Sequence, residues 1–208
     1  MSSLPGFLAR WSAAHGGIEP SGLVLGWLRV VFVLVRPLAE RRVPPWVLTM
    51  LSCLCGVAVP LWVLGGLPVV GAVSAVLCAL LDGLDGAVAV LTDTATDWGR
   101  VLDPLVDRIG DVAFLTALVL AGAPGWLAVG VGTLTLLQES VRASARLPDV
   151  GVVSVWERPS RVIVTALGLL GTAVSPQLPV ATIAVAIAAV LAVVGFTQVL
   201  VTVFRRLR

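Results

Sequence analysis

Carboxylates gather between residues 82 and 111 of this sequence. Seven of the twelve acidic residues in the 208-residue chain fall in that stretch. Asp82 and Asp85 are three residues apart and Asp103 and Asp107 are four apart, so in a helix each pair lies on one face. A short link joins the two segments that carry these pairs. The spacing therefore predicts four carboxylates close together at the ends of two neighbouring antiparallel helices.

The residue type and the pairing indicate a metal site. Oxygen ligands from aspartate suit a hard divalent cation, Mg²⁺ or Mn²⁺. Two pairs have room for two ions, an arrangement that clamps phosphoryl oxygens during a displacement reaction. Four carboxylates at membrane depth would otherwise cost on the order of 10 kcal/mol. Only Arg100 and Arg108 lie nearby in the sequence to offset them.

The three remaining acids of the stretch are interpreted differently. Asp93 and Asp97 fall in the link between the two segments, and we expect them to be solvated. For Asp111 two alternatives stay open: it supports the metal ligands, or it pairs with Arg108.

The elements that carry these aspartates are predicted to be membrane helices. With 58% hydrophobic residues, 12% charged residues and a mean hydropathy of +1.04, the chain is too apolar for a soluble domain of its length. A run from Gly22 is too short to span and contains Arg29, which predicts a helix lying in the interface. Six further apolar runs approach or reach the length of a membrane span: 47–64, 68–91, 99–121, 125–145, 161–175 and 178–203.

The predicted fold class is therefore an all-α integral membrane protein with six transmembrane helices preceded by an interfacial amphipathic helix. Residues 1–43 are predicted to form the N-terminal segment and residues 44–208 the six-helix domain. Arginines occur before the first span, at alternate connections and after the last span, whereas the other connections carry no charge. By the positive-inside rule, both termini and the acidic cluster face the cytoplasmic side of the cell membrane.

The aspartate spacing resembles a family signature. Asp82-x-x-Asp85-Gly86-x-x-Ala89, followed by Gly99-x-x-x-Asp103-x-x-x-Asp107, is similar at seven positions to the signature of the CDP-alcohol phosphatidyltransferases. The six-span layout and the stretch "PPWVLT" before the first span resemble that family as well. Downstream, "SVRASARLPDVGVVSVWERPSR" is similar to elements of actinobacterial phosphatidylinositol-phosphate synthases, so the resemblance runs from about Pro45 to Arg161.

The resemblance implies a role for each matched residue. Asp82, Asp85 and Asp103 would bind two metal ions, Mg²⁺ or Mn²⁺, that hold the diphosphate of a CDP-lipid. Asp107 would sit by the second ion and act as general base on the acceptor hydroxyl. The residues implied near the CDP-lipid are Thr49, Gly86, Thr96 and Gly99.

Arginines around one cytoplasmic connection predict a phosphorylated acceptor. Arg142, Arg146, Arg158 and Arg161 cluster there in the sequence, and a phosphate pocket needs several guanidinium groups. Positive-inside topology is the alternative explanation, and it carries most weight for Arg146 and Arg158.

The expected function is transfer of a phosphatidyl group from CDP-diacylglycerol to a small alcohol, with release of CMP. Inositol phosphate is the favoured acceptor and glycerol 3-phosphate the next. CDP-ethanolamine or CDP-choline chemistry is a further alternative. From other classes, a divalent-cation transporter and an inactive relative remain, the latter because Val90 stands where the family has arginine. The resemblance also implies a homodimer in the bilayer, and we expect no nucleic-acid partner.

Overall fold

The structure is a computed structural model that describes residues 3–14, 17, 22–145 and 154–208. Within these ranges all regular secondary structure is helical, as the apolar runs predict. The helices are α1 (Leu4–Ala14), α2 (Gly22–Glu40), α3 (Pro45–Leu64), α4 (Pro68–Thr92), α5 (Asp97–Leu120), α6 (Gly125–Ala145), α7 (Arg158–Val174) and α8 (Val180–Leu207).

Each of the six predicted spans corresponds to one helix from α3 to α8, and the run from Gly22 is α2. Helix α1 was not predicted. Among the described residues, α3, α4 and α8 are long and apolar enough to cross a membrane. The chain is thus a multi-pass membrane protein by the length and composition of its helices. The count of six spans and the interfacial position of α2 stay predictions.

Left-handed residues follow several of these helices. Gly66 and Gly122, which follow α3 and α5, have φ angles of 73° and 106°. The next N–H in each case turns back to a helix carbonyl: Leu67 donates to Trp62 at 2.8 Å and Ala123 donates to Leu118 at 3.0 Å. Glycine adopts this conformation without a Cβ penalty. Asp93 takes the same conformation after α4, with a φ of 57°.

The first compact unit comprises Met1–Ser52 and Leu80–Val106. Its core buries apolar side chains of α1 and α2 with those of the first part of α3 and the last part of α4; the fully or nearly fully buried members include Phe7, Val31, Val35, Leu48, Val88 and Leu91. The rings of Phe7 and Phe32 lie 5.7 Å apart. Arg10 of α1 donates to the Leu91 carbonyl at 2.8 Å, which satisfies an exposed acceptor at the end of α4.

The second compact unit comprises Cys53–Ala79 and Asp107–Arg208. Helices α6 and α7 both pack against α8, whose buried face is made of small residues, among them Ala181, Ala184, Ala188 and Ala192. Small residues let membrane helices approach closely. At Gly168 of α7 an added Cβ would lie 2.8 Å from the Ala184 Cβ and 2.8 Å from a Leu118 methyl carbon.

We predict that Gly168→Ala lowers the stability of the protein in detergent by about 1 to 3 kcal/mol, because the extra methyl group overpacks the α7–α8 contact. The matched control is Gly130→Ala on α6, where an added Cβ meets nothing within 4 Å. The control should be neutral or stabilising, since alanine is the better helix former. The midpoint of thermal unfolding measures both variants. Equal midpoints for Gly168→Ala and the wild type would contradict the close approach.

Candidate metal and substrate site

Three of the four predicted metal ligands come together in the first unit. Asp82 and Asp85 lie on α4 and Asp103 lies near the start of α5. One carboxylate oxygen from each lies within 4.8 Å of the other two. Oxygens that share one divalent cation at 2.0–2.6 Å are separated by at most about 5 Å. The three side chains therefore fit a common divalent cation.

Thr49 of α3 fixes one of these ligands. Its hydroxyl donates to the Asp85 Oδ2 atom at 2.5 Å, and both residues are only 5% exposed. A hydrogen bond to one carboxylate oxygen holds the side-chain rotamer and leaves the second oxygen for another partner. The family resemblance implies a place near the nucleotide for Thr49, and its observed contact is with the metal-ligand candidate Asp85.

A cavity of about 240 Å³ opens beside Asp85 and Asp103. All four residues predicted to hold the CDP-lipid line it: Thr49, Gly86, Thr96 and Gly99. Trp46 and Trp98, which are 58% and 65% exposed, contribute indole rings to the same wall. A Cβ at Gly86 would meet nothing within 4 Å, so the helix backbone faces open space there.

Thr96 also has a local role as the cap of α5. Its Oγ1 atom accepts a hydrogen bond from the Gly99 N–H at 3.0 Å, which satisfies one of the unpaired donors at a helix start. The hydroxyl proton of Thr96 stays available for a second partner. Space is tight at Gly99, where an added Cβ would lie 3.3 Å from the Thr96 Oγ1.

The acids of the link lie outside the cluster, as expected. Asp93 is exposed and ends α4 in the left-handed conformation, which aspartate tolerates well. Asp97 pairs with Arg100 in the first turn of α5, and both side chains are largely solvated. Such an exposed pair contributes little to stability.

Asp107 belongs to the second compact unit, although it follows Asp103 by one turn of α5. It forms ion pairs with Arg158 and, at 3.7 Å, with Arg108. The sequence grouped it with the other three aspartates and did not anticipate these partners. Its role as metal ligand and base stays a prediction.

Three of the four predicted acceptor arginines lie in one charged cluster of the second unit; Arg146 lies outside the described residues. The cluster consists of Arg108, Arg142, Arg158 and Arg161 together with Asp107, Asp111, Glu139 and Glu157. Asp111 pairs with Arg161 at 2.7 Å, whereas the sequence had suggested Arg108 as an ion-pair partner. Every arginine of the cluster has a carboxylate partner, which the sequence reasoning did not foresee.

A buried glutamine anchors the segment that leads into α7. Gln138 of α6 is fully buried and donates to the Ser154 Oγ at 3.1 Å and the Trp156 carbonyl at 3.0 Å. The Trp156 indole N–H donates to the Thr135 hydroxyl at 2.8 Å. Trp156 is 3% exposed and so packs inside the unit. A polar residue within an apolar run was the sequence signal for Gln138.

Comparisons with known proteins bear on this geometry. A model of the CDP-alcohol phosphatidyltransferase family matches residues 42–205, which is most of the chain. This chain belongs to the CDP-alcohol phosphatidyltransferase family. The match includes every aspartate of the signature and the whole of α3 to α7.

Individual relatives are similar to this chain over shorter stretches. The bifunctional IPC transferase and DIPP synthase of Aquifex aeolicus is 36% identical over 98 residues, 47% of this chain and 23% of that protein. The phosphatidylinositol phosphate synthase of Mycobacteroides abscessus is 32% identical over 111 residues, 48% of this chain and 49% of that protein. The matches thus span about half the length of such relatives or less.

A similar solved structure matches a larger share of this chain than these relatives do. The phosphatidylinositol phosphate synthase of Mycobacterium tuberculosis, crystallised with CDP-DAG bound, superposes with a TM-score of 0.66 at 28% identity. The match covers 85% of this chain and 94% of that one. A second structure of the same protein contains manganese and citrate.

One position departs from the family signature. Val90 stands where the CDP-alcohol phosphatidyltransferases carry arginine, and here its side chain packs against the apolar core of the first unit. Arg100 lines the cavity, although it also pairs with Asp97. Arg100 is the arginine among the residues that line this cavity.

The Glu157 carboxylate locks the start of α7 to α6. It accepts bonds from Arg142 at 2.8 Å, from the Ser154 N–H at 2.7 Å and from the Ser154 hydroxyl at 2.8 Å. Burial raises the pKa of this carboxyl, but the hydrogen bonds from Arg142 and Ser154 outweigh burial and hold the pKa below its usual range.

We predict that Glu157→Gln lowers the free energy of unfolding by about 1 to 3 kcal/mol at neutral pH, the usual range for a bond to a charged group. A lowered folded-state pKa stabilises the protein above the ordinary glutamate pKa of about 4.3 and loses that contribution as the pH falls through the folded-state value. The difference in melting temperature between wild type and variant should therefore shrink below about pH 4. A difference that is constant with pH would contradict the charged interaction.

Proposed function

We propose that this protein is a membrane phospholipid synthase that transfers a phosphatidyl group from CDP-diacylglycerol to a small phosphorylated alcohol and releases CMP. The observation that carries the proposal is the convergence of Asp82, Asp85 and Asp103 beside a cavity lined by the residues implied for CDP-lipid binding. Relatives named phosphatidylinositol phosphate synthases make inositol phosphate the favoured acceptor. Glycerol 3-phosphate is the second candidate.

The three clustered aspartates and Asp107 would hold two divalent cations, Mg²⁺ or Mn²⁺. Carboxylate oxygens suit such ions, and a relative has been crystallised with manganese. When bound, the ions would neutralise the diphosphate and stabilise charge on the leaving phosphate. Thr49 holds Asp85 in the orientation that this ligation needs.

The CDP-lipid would lie in the cavity of the first unit. Gly86 leaves room for the nucleotide to approach the backbone of α4, and Gly99 lines the same cavity. The Thr96 hydroxyl can donate to the nucleotide. The exposed rings of Trp46 and Trp98 offer faces on which a cytosine base can stack.

The transfer is a displacement at phosphorus. The acceptor hydroxyl oxygen bonds to the phosphorus that carries the diacylglycerol, and the P–O bond to CMP breaks with its electron pair leaving on CMP. Asp107 takes the hydroxyl proton as general base. The family resemblance implies this role for Asp107, which lies beside Arg158 of the arginine cluster.

The acceptor phosphate would bind Arg142, Arg158 and Arg161, together with Arg146. The observed cluster favours a phosphorylated acceptor because the first three guanidinium groups converge in one partly buried place. The proposal also includes six membrane spans, with both termini and the site on the cytoplasmic side of the cell membrane. It includes assembly as a homodimer as well.

A divalent-cation transporter would use the same aspartates for transport instead. The cavity beside them favours the enzyme, since a transported ion needs no chamber lined by glycine backbones and indole rings. An inactive relative would bind CDP-diacylglycerol without turnover. Release of CMP from CDP-diacylglycerol separates both alternatives from the synthase.

Removal of divalent cations tests the role of the aspartates. We predict that excess chelator abolishes CMP release and that Mg²⁺ or Mn²⁺ restores it, because the carboxylates cannot hold the diphosphate alone. Asp103→Asn should lose activity, whereas Asp93→Asn, an exposed aspartate whose left-handed backbone asparagine also tolerates, should keep it. CMP release that persists in excess chelator would contradict the metal-dependent mechanism.

Asp107→Asn isolates the proton acceptor, since the amide keeps the size of the side chain but cannot take a proton. We predict that kcat falls by at least about tenfold while the KM for CDP-diacylglycerol changes much less. Steady-state kinetics at saturating acceptor measure both constants. If kcat and CDP-diacylglycerol binding fall together, Asp107 acts as a metal ligand and not as the base.

A further inference from the structure

Glu139 of α6 lies among three guanidinium groups that come from three helices. Its Oε1 atom lies 2.7 Å from Arg161 of α7 and 3.6 Å from Arg142 of α6, and its Oε2 atom lies 3.2 Å from Arg108 of α5. The side chain is 16% exposed. Both carboxylate oxygens are thus engaged by the forked donors that best fit phosphate.

The other acids beside these arginines are held by different contacts. Glu157 also accepts bonds from the Ser154 N–H and hydroxyl, which tie it to the backbone. The Asp111 side chain is 8% exposed and bonded to Arg161. In the described part of the chain, the polar contacts of the Glu139 carboxylate are all with guanidinium groups. Its displacement frees three guanidinium groups at once and breaks no backbone contact.

The positive and negative side chains of this cluster already balance before a phosphate binds. Arg108, Arg142 and Arg161 carry three positive charges, and Asp111, Glu139 and Glu157 carry three negative ones. A phosphate monoester brings close to two further negative charges. Adding it beside an unmoved Glu139 would place like charges together in a partly desolvated site, which costs several-fold or more in affinity.

We propose that Glu139 is a specificity-determining residue of the acceptor site. Its carboxylate occupies the guanidinium groups of Arg108, Arg142 and Arg161, and an acceptor phosphate binds by displacing it. A dianionic phosphate replaces the carboxylate with more charge and more acceptor oxygens, whereas an unphosphorylated alcohol offers nothing in exchange. Glu139 thereby selects phosphorylated over unphosphorylated acceptors. The inference rests on the proposed phosphatidyl transfer for the identity of the acceptor.

Binding of inorganic phosphate to the full-length protein in detergent, without added divalent cations, tests the exchange. Glu139→Gln keeps the shape of the side chain and removes the competing charge, so phosphate should bind at least about tenfold more tightly by calorimetry. Glu139→Asp keeps the charge but is too short to reach all three guanidinium groups, so its affinity should fall between those of wild type and Glu139→Gln. The matched control is Glu40→Gln, which removes one carboxylate from the exposed Arg36–Glu40 pair and should leave phosphate binding unchanged.

Unchanged or weaker phosphate binding in both Glu139 variants would overturn the proposal and make Glu139 a scaffold for the arginines. If Glu139→Gln does not fold, Glu139→Asp decides alone. In kinetics, Glu139→Gln should also lower the KM for inositol phosphate and narrow the preference over free inositol. Wild-type CMP release is measured in parallel: its absence would refute the proposed function and leave the phosphate-binding result to judge Glu139 by itself.

Discussion

The structure depends on how a hydrophobic helical protein accommodates carboxylates. Each charged side chain at membrane depth costs several kcal/mol unless it is paired or solvated. This chain uses two different solutions. In the second unit, four arginines neutralise Asp107, Asp111, Glu139 and Glu157 directly. In the first unit, Asp82, Asp85 and Asp103 converge on one another, and a bound cation is the counter-charge that their geometry fits.

Local packing holds both groups in place. Thr49 sets the rotamer of Asp85, and the Thr96 cap starts α5 six residues before Asp103. In the second unit, Gln138 and Trp156 fix the segment before α7, and Gly195 of α8 leaves the space they need, since a Cβ there would lie 2.6 Å from the Trp156 Cβ. The charged side chains are therefore positioned by neutral residues that the aspartate and arginine patterns do not reveal.

Much of the fold could be predicted because membrane helices are defined by local composition. Apolar length and Gly/Pro breaks gave α3 to α8 within a few residues, and the aspartate spacing gave three members of the cluster in the first unit. Helix α1 was not predicted because it is short. Phe7 and Leu8 hold it in position through a tertiary contact that has no signal of its own in the sequence. The ion-pair partners escaped for the same reason: Glu139 and Arg161 meet only after α6 and α7 fold together.

The arginines also show where a sequence argument about charge is incomplete. The sequence places Arg142, Arg158 and Arg161 around one connection, which predicted a phosphate pocket with positive-inside topology as the alternative. The structure instead gives each of them a carboxylate partner. Binding of an acceptor phosphate then becomes an exchange of anions, which sets selectivity through competition and not through positive charge alone.

Electron paramagnetic resonance of Mn²⁺ with the purified protein tests whether the aspartates hold divalent cations. Free and bound Mn²⁺ give different signals, and the measurement needs no turnover. We predict that the wild type binds two Mn²⁺ ions per chain. Asp85→Asn should lose this binding and Thr49→Val should weaken it, while Asp93→Asn should match the wild type. Mn²⁺ binding that is absent in the wild type, or that survives unchanged in Asp85→Asn, would contradict the conclusion that the aspartates are gathered to hold divalent cations.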